Sequence, residues 1–274
     1  MIVVHSWGVA GSIRDGGTTG RAAWGVPRGG AVDTWSHALG NRLVGNAESA
    51  AGFESSGGLD IEILRSHALV TITGATCDLT VHGGPAVGWG TPTLLPSGAR
   101  LRIGRLRDGA RVYLAVRGGV GIESASSTDV VRVGADAPGP PAAVSAVPLP
   151  PPDRMAVWPG PRRDWFDPVA WSVLCSAEFV VSPMSDRVGV RLRGPELRRT
   201  VTSELPSEGL VEGSVQVPPD GDPIVMLADH PTTGGYPVIG VIDPAHLRYI
   251  AQLAAGATVR FRAMNTQADR PAGD

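Results

Sequence analysis

Two polar, glycine-rich loops near the end of the sequence carry the residues best suited to chemistry. Between them lies a continuous apolar run, Ile224–Ala228, of the kind that a sheet buries on both faces. If this run is a central strand, both loops converge on one pocket, and Gly234 and Gly235 let the backbone approach a ligand closely. The loops supply amide, carboxylate, hydroxyl and phenol groups, which predict binding of a small polar molecule: Gln216, Asp220, Asp229, Thr232, Thr233 and Tyr236.

A second group of candidates opens a strand within residues 182–195. Asp186 can fix the guanidinium of Arg187 through a charge-assisted hydrogen bond, leaving it to face a substrate carboxylate, with Ser185 beside it. A turn with a surface ion pair, worth about 0–1 kcal/mol, explains these residues equally well. Both interpretations stay open.

The glycine-rich run from Arg14 to Asp33 contains Arg21 and Arg28 as well as paired hydroxyls. Such runs bring backbone N–H groups to an anion or a polar ligand. A long surface loop whose glycines serve turns is the simpler interpretation, and the run alone favours it.

Composition excludes several function classes. The chain has 274 residues, of which 42% are hydrophobic, and a formal charge of −2, so nothing indicates nucleic acid as a partner. All 24 basic residues are arginine, and without lysine the chain is not itself a P-loop NTPase, a pyridoxal-phosphate enzyme, a Schiff-base aldolase or a biotin carrier. No G-x-S-x-G elbow and no H-E-x-x-H spacing occurs, and we predict no metal site.

Targeting signals and disulfides are not predicted either. No apolar run approaches the roughly 18 residues needed to span a bilayer, and the first residues do not read as a signal peptide. The cysteines Cys77 and Cys175 lie far apart without a partner motif. These features predict a cytoplasmic protein without a membrane partner.

Most segments between the glycines and prolines alternate with a period of two, which predicts strands with one face on a core. Many short strands separated by turns predict an all-β barrel or sandwich with a few short helices. The clearest alternating segments are 77–82, 100–103, 111–117, 187–193 and 259–262.

Three helices interrupt the strands. The first runs over 35–44 after an N-cap at Asp33 or Thr34. The second begins at Asp167-Pro168 and reaches about Cys175, and the third begins at Asp243-Pro244 and closes near Gly256. A proline-rich stretch, 137–155, predicts a boundary between an N-terminal β domain, 1–140, and a C-terminal domain, 141–274, which can intertwine.

Taken in order, the motifs resemble the biotin-dependent carboxyltransferase-like family, also called allophanate hydrolase subunit 2, whose bacterial members include the C subunit of ATP-dependent 5-oxoprolinase. One departure lies in residues 15–21, where the arginine of the family pattern is displaced, which weakens the case for an anion-binding role there. The matching stretches span nearly the whole chain: "WGVPRGGAVDTWSHALGNRLVGN", "ITGA", "YLAVRGGV", "VWPGPRRDWF", "SPMSDRVGVRLRGP" and "SEGLVEGSVQVPPDGDPIVMLADHPTTGGYPVIG".

The resemblance implies a cyclophilin-like β-barrel and a site shared with partner subunits. The implied partners are an allophanate hydrolase subunit 1-like protein, which is the B subunit of 5-oxoprolinase, and the A subunit of that enzyme. The implied reaction opens 5-oxoproline to glutamate with ATP hydrolysis, the ATP being bound with or by the partners. Two alternatives stay open: a carboxyltransferase component that uses biotin in a urea carboxylase, and a regulatory partner without turnover.

Residue chemistry placed on these motifs gives each candidate a role. A planar amide substrate needs a donor to its carbonyl oxygen and an acceptor for its N–H. We predict Gln216, Asp220 and Tyr236 as catalytic residues. The predicted substrate-binding residues include two arginines for a substrate carboxylate, and they are Arg28, Ser185, Asp186, Arg187, Thr232, Thr233, Gly234 and Gly235.

Overall fold

The computed structural model describes residues 1–122, 129–135 and 137–264. The chain divides into two units. The first contains Met1–Gly17 and Asp33–Pro150, and the second contains Thr18–Val32 and the chain from Pro151 onward. This division differs from the predicted one between residues 140 and 141, although it falls in the same proline-rich stretch. It also assigns Thr18–Val32, hereafter the arm, to the second unit.

A nine-stranded sheet of antiparallel pairs forms the first unit, in the order β2-β3-β7-β4-β1-β9-β8, with β5 paired to β7 and β6 paired to β5. Its inner face is a continuous apolar core that includes Ile61, Ile72 and Leu101. The strands are β1 (Ile2–Ser6), β2 (Ser12–Arg14), β3 (Gly52–Ser55), β4 (Leu59–Ile63), β5 (Ala68–His82), β6 (Thr93–Leu95), β7 (Arg100–Val116), β8 (Val120–Ile122) and β9 (Asp129–Val133).

The alternating segments 100–103 and 111–117 belong to one long strand, β7. It pairs with β4 near its start and with β3 near its end, while β5 follows it along most of its length. Burial alternates in the first part of β7, whereas its last five residues are buried on both faces, and register shifts against β5 occur between these two parts. The sequence pattern therefore predicts both ends of this strand, but it does not predict that they belong to one strand.

Helix α1 (Thr34–Leu43) begins after Asp33, whose carboxylate accepts hydrogen bonds from the backbone N–H of Ser36 at 3.0 Å and from its hydroxyl at 2.6 Å. This is the N-cap arrangement that the sequence predicts. The backbone N–H of Asp33 also donates to the hydroxyl of Tyr113 at 2.8 Å. The cap thereby fastens the start of the helix to strand β7.

Seven strands of the second unit close into a barrel, in the order β10-β17-β14-β15-β12-β11-β18. Parallel pairing of β10 with β18, from Met155 opposite Phe261 onward, completes the ring. The prediction of an all-β fold with a few short helices is confirmed. The described strands of the second unit, of which β13 and β16 lie outside the barrel, are β10 (Met155–Pro159), β11 (Glu178–Val181), β12 (Gly189–Arg193), β13 (Glu208–Gly209), β14 (Ser214–Gln216), β15 (Ile224–Met226), β16 (Thr233–Gly234), β17 (Val238–Ile242) and β18 (Thr258–Ala263).

The two helices of this unit start later than their sequence signals indicate. Helix α2 (Ala170–Ser176) follows Asp167, whose carboxylate accepts from the N–H of Val169 at 3.0 Å. A 3₁₀ turn occupies Pro244–His246 before α3 (Leu247–Ala251), so the third helix is shorter than predicted. In the described part of the chain, no helix is both long and apolar enough to cross a membrane.

A two-stranded ribbon, β13 with β16, covers part of the outer surface of the barrel. Strand β14 turns Val215 into the core, and Gln216 follows on the opposite face. Gln216 is nevertheless only 3% exposed. Its Nε2 donates to the carbonyl of Tyr236 at 3.0 Å, beside Gly234 of the ribbon.

Replacing Gly234 with alanine should loosen this ribbon. The added Cβ would lie 2.7 Å from Nε2 of Gln216 and 2.7 Å from Cδ1 of Leu210, which is too close without a shift. We expect G234A to lower the free energy of unfolding by about 1–3 kcal/mol, as overpacking does. Denaturant unfolding of the purified chain measures this change.

The matched control is G235A, whose new Cβ would have its nearest neighbour, the carbonyl oxygen of Leu205, at 3.4 Å. That is ordinary van der Waals contact, so the G235A protein should unfold within about 0.5 kcal/mol of wild type. Equal stability of the two variants would contradict the close packing between Gln216 and the ribbon.

The first unit contains a buried histidine with a distinct pH response. Burial lowers the pKa of His37 below its ordinary value, although the carbonyl of Arg14, 3.2 Å from Nε2, and the charges of Glu54 and Asp15 oppose the shift. The native state therefore binds fewer protons at this ring than the unfolded chain, and stability falls as the pH drops through the histidine range near ~6.5.

We expect H37Q to lose less stability than wild type when the pH is lowered from about 7.5 to about 5.5. Denaturant midpoints across this window measure the difference. The variant H67Q removes an exposed histidine and controls for the loss of one ring. If the denaturant midpoints of wild type and H37Q change with pH in parallel, the loss of stability at low pH does not come from His37.

Candidate functional site

Two arginine–carboxylate pairs meet at one end of the barrel. Arg28 donates from Nε to Glu212 at 2.9 Å and from Nη2 to the second carboxylate oxygen at 3.1 Å. Arg187 makes the same two-point contact with Asp229, at 2.7 and 3.2 Å. These four residues, hereafter the arginine cluster, come from four separate segments of the chain.

The arm joins the two pairs. Nη2 of Arg28 donates to the carbonyl of Ala31 at 3.1 Å, and Nη2 of Arg187 donates to the carbonyl of Gly30 at 2.5 Å. The guanidiniums therefore bind consecutive carbonyls of one short stretch. The N–H of Gly29 donates to the carbonyl of Ala228 at 3.1 Å, immediately before Asp229.

The barrel explains why these side chains converge. Strand β12 begins just after Arg187, opposite the end of β15, where Gly189 pairs with Met226. Strand β14 begins just after Glu212 and pairs with β15 and β17. Antiparallel neighbours thus bring the start of two strands and the end of a third to the same rim of the barrel.

The cluster is partly sheltered from water and its charges are matched. Side-chain exposure is 16% for Arg187 and 29% for Asp229, and it is 17% and 19% for Arg28 and Glu212. Two-point arginine–carboxylate contacts fix both the position and the plane of each guanidinium. Planar, oriented N–H donors of this kind suit recognition of carboxylate and amide groups.

Asp186 and Ser185 have local roles in the turn before β12. The carboxylate of Asp186 accepts from the N–H groups of Val188 at 2.8 Å and Gly189 at 3.1 Å. The hydroxyl of Ser185 accepts from the N–H of Arg191 at 3.0 Å. Asp229 forms the two-point pair with Arg187, while a role of Asp186 in fixing Arg187 stays a prediction.

The structure brings Gln216 and the loop that ends at Tyr236 together. The amide of Gln216 contacts the Tyr236 backbone and abuts Gly234, while Gly235 lies near Leu205. Gln216 is buried and Tyr236 is 44% exposed. In this arrangement the amide of Gln216 holds the ribbon against the barrel. Catalytic roles for Gln216 and Tyr236 stay predictions.

Asp220 and Asp229 lie at opposite ends of β15, because one precedes the strand and the other follows it. Asp220 is exposed and accepts from the N–H of Asp222 at 3.2 Å, which closes the turn between β14 and β15. Thr232 accepts through its carbonyl from Leu210, and Thr233 lies on β16. The predicted residues therefore divide into an arginine cluster and a group around Gln216.

Glu212 is a functional candidate that sequence reasoning alone does not single out. Its pairing with Arg28 spans 184 residues, and no local pattern reports such a contact. The available signal is chemical, since two arginines in glycine-rich loops need counter-ions. Within the described ranges, His, Cys, Asp and Glu side chains form no group of three that could hold a metal ion.

This chain is similar to proteins of about its own length and to segments of much longer proteins. It is 31% identical to the C subunit of 5-oxoprolinase from Escherichia coli, over 95% of this chain and 90% of that protein. It is 26% identical to the urea amidolyase of Saccharomyces cerevisiae, over 94% of this chain but only 16% of that protein.

Among solved structures, the crystal structure of TTHA0988 superimposes with a TM-score of 0.83 at 31% sequence identity. The match covers 95% of this chain and 55% of that one, so the chain spans about half the length of this solved relative.

A family model described as "Carboxyltransferase domain, subdomain A and B" matches residues 24–128 and 123–263. Together these ranges include the arginine cluster, the ribbon and all but the first strands of the nine-stranded sheet. The chain therefore belongs to the carboxyltransferase domain, subdomain A and B family.

Proposed function

We propose that this chain is the C subunit of a multi-subunit, ATP-dependent 5-oxoprolinase, which opens 5-oxoproline to glutamate. One observation carries the proposal. The relative named as a 5-oxoprolinase C subunit matches 95% of this chain and 90% of its own length, so the two proteins have nearly the same extent. The urea amidolyase match, in contrast, covers a small part of a much longer protein.

The arginine cluster supports this substrate class. 5-Oxoproline combines a carboxylate with a planar lactam, which offers one carbonyl acceptor and one N–H donor. Guanidiniums of fixed orientation recognise the first group, and carboxylates accept from the second. We assign Arg28 and Arg187 to the substrate carboxylate and Asp229 to the lactam N–H, since these groups have the matching donors and acceptors.

The amino-acid composition of this chain indicates where ATP binds in the proposed complex. ATP activates the lactam for hydrolysis in the proposed reaction. The chain has no lysine and so cannot supply the P-loop contact to phosphates. We therefore assign ATP binding to partner subunits, which are a subunit 1-like protein (the B subunit) and the A subunit, in a cytoplasmic complex.

A carboxyltransferase role is the second candidate, favoured by the family description and by the urea amidolyase match. In that case a carboxylated biotin and urea would be the reactants. Both present planar ureido groups, which the arginine cluster would recognise through the same donors and acceptors. Substrate identity separates the two candidates.

The decisive experiment is reconstitution from the three subunits of the same organism. Glutamate release from 5-oxoproline and ATP should require this chain and stop when it is omitted. A parallel reaction with carboxybiotin and urea should show no carboxyl transfer.

Two outcomes would contradict the proposal. Undiminished glutamate release without this chain would indicate a regulatory partner with no part in turnover. Carboxyl transfer to urea, without glutamate release, would establish the second candidate instead.

Arg187 offers a sharper test within the reconstituted enzyme. R187K keeps one positive charge but loses the planar two-point contact with Asp229 and the fixed guanidinium plane. Because the lost interaction orients bound substrate, we expect kcat/KM for 5-oxoproline to fall at least about tenfold, mainly through a higher KM.

The matched control is R191K, which changes an exposed arginine on the same barrel strand, β12. Its kinetic constants should equal those of wild type. Both variants should fold, and the constants are measured at saturating partner subunits because Arg187 also anchors the arm at Gly30. Wild-type KM in R187K would remove Arg187 from the substrate site.

A further inference from the structure

The arm is a preorganised loop rather than a loose one. The N–H of Thr18 donates to the carbonyl of Arg28 at 2.8 Å and closes its base. A 3₁₀ turn, Ala22–Trp24, ends at Gly25 in the left-handed region, where the N–H of Gly25 donates to the carbonyl of Ala22 at 2.9 Å. The arginine cluster anchors residues 28–31 on the barrel.

The tip of the arm exposes large apolar side chains. Trp24 is 78% exposed and Val26 is 42% exposed. A Cβ built on Gly20, Gly25 or Gly29 meets nothing within 4 Å, so open space surrounds the arm on several sides. Burying an exposed tryptophan removes more apolar surface from water than burying most other side chains, and tryptophan is enriched among residues that dominate binding energy.

The charge of the arm has one sign. It carries Arg21 and Arg28 and no acidic residue. Glu212 neutralises Arg28, whereas Arg21 lies exposed three residues before Trp24. The complementary surface is therefore an apolar pocket with an acidic rim.

The lengths of the relatives indicate what supplies such a pocket. This chain covers only 55% of the solved TTHA0988 chain, so the matching region there is accompanied by about as much additional polypeptide. A relative of this chain's own length is named as one subunit of an enzyme, which implies further subunits. Both relatives therefore combine this fold with further polypeptide, and in the proposed complex a separate subunit supplies it.

We propose that the arm is the docking element for the subunit 1-like partner, with Trp24 as its anchor and Arg21 as its charged contact. This inference rests on the proposed function, because the partner belongs to that complex. The hydrogen bond between Thr18 and Arg28 closes the base of the arm before binding, which limits the backbone entropy lost when the complex forms. The pairing of Arg28 with Glu212 spares the interface an unpaired charge next to the anchor.

Binding of the purified subunit 1-like protein to the full chain tests the docking. By calorimetry, W24A should weaken binding at least about 30-fold, as truncation of an anchoring tryptophan does. R21E should also weaken binding, because its negative charge would face the acidic rim of the partner. Hydrogen exchange in residues 18–28 should slow when the partner is bound.

Matched controls use exposed residues of the same unit outside the arm. V169A truncates a side chain that is 59% exposed, and R193E reverses an exposed arginine at the end of β12. Both should bind like wild type. Unfolding midpoints of all four variants should also match wild type, since the altered side chains are exposed.

Wild-type affinity in W24A, or unchanged exchange in the arm, would overturn the docking role. Unchanged affinity with a loss of turnover at saturating partner would overturn it as well, because Trp24 would then act on substrate. Failure of wild type to bind the partner would also refute the docking, while glutamate release by the three-subunit mixture would decide separately whether the proposed function stands.

Discussion

Closure of the barrel by the parallel pairing of β10 with β18 is the constraint on which the second unit depends. Closure satisfies the backbone groups of both end strands, which an open sheet would leave exposed. It also fixes β12, β14 and β15 as neighbours, so that Arg187, Glu212 and Asp229 reach one rim. Chemistry at that rim is therefore a consequence of strand order.

A second layer of interactions gives the rim its shape. The ribbon rests on the outer surface of β14 and uses the amide of Gln216 as its attachment. The arm is attached through two guanidiniums that bind adjacent carbonyls. In both cases a buried or half-buried polar side chain binds backbone carbonyls, which orients a loop without needing a large apolar contact.

Local signals in the sequence predicted local features well. The N-cap at Asp33 and the alternation of Leu101 and Ile103 are contained in a few consecutive residues, and both appear in the structure. Long-range features were not predictable in the same way. The strands of the ribbon have two residues each, too few for a period, so the burial of Gln216 could not be inferred. Asp229, the two-point partner of Arg187, is 42 residues away, and no local pattern points to a partner at that distance.

The placement of the arm among barrel residues has a consequence for biosynthesis. Arg28 is translated 184 residues before Glu212, and Gly30 is translated 157 residues before Arg187. At ribosomal rates of roughly 5–20 residues per second, the arm waits on the order of 10–40 s for its counterpart to emerge. The nine-stranded sheet can form in that interval, with the arm held out as an unpaired loop on the nascent chain. The charges of Arg21 and Arg28 suit the arm to that wait, because charged residues that flank exposed apolar ones such as Trp24 and Val26 oppose premature association.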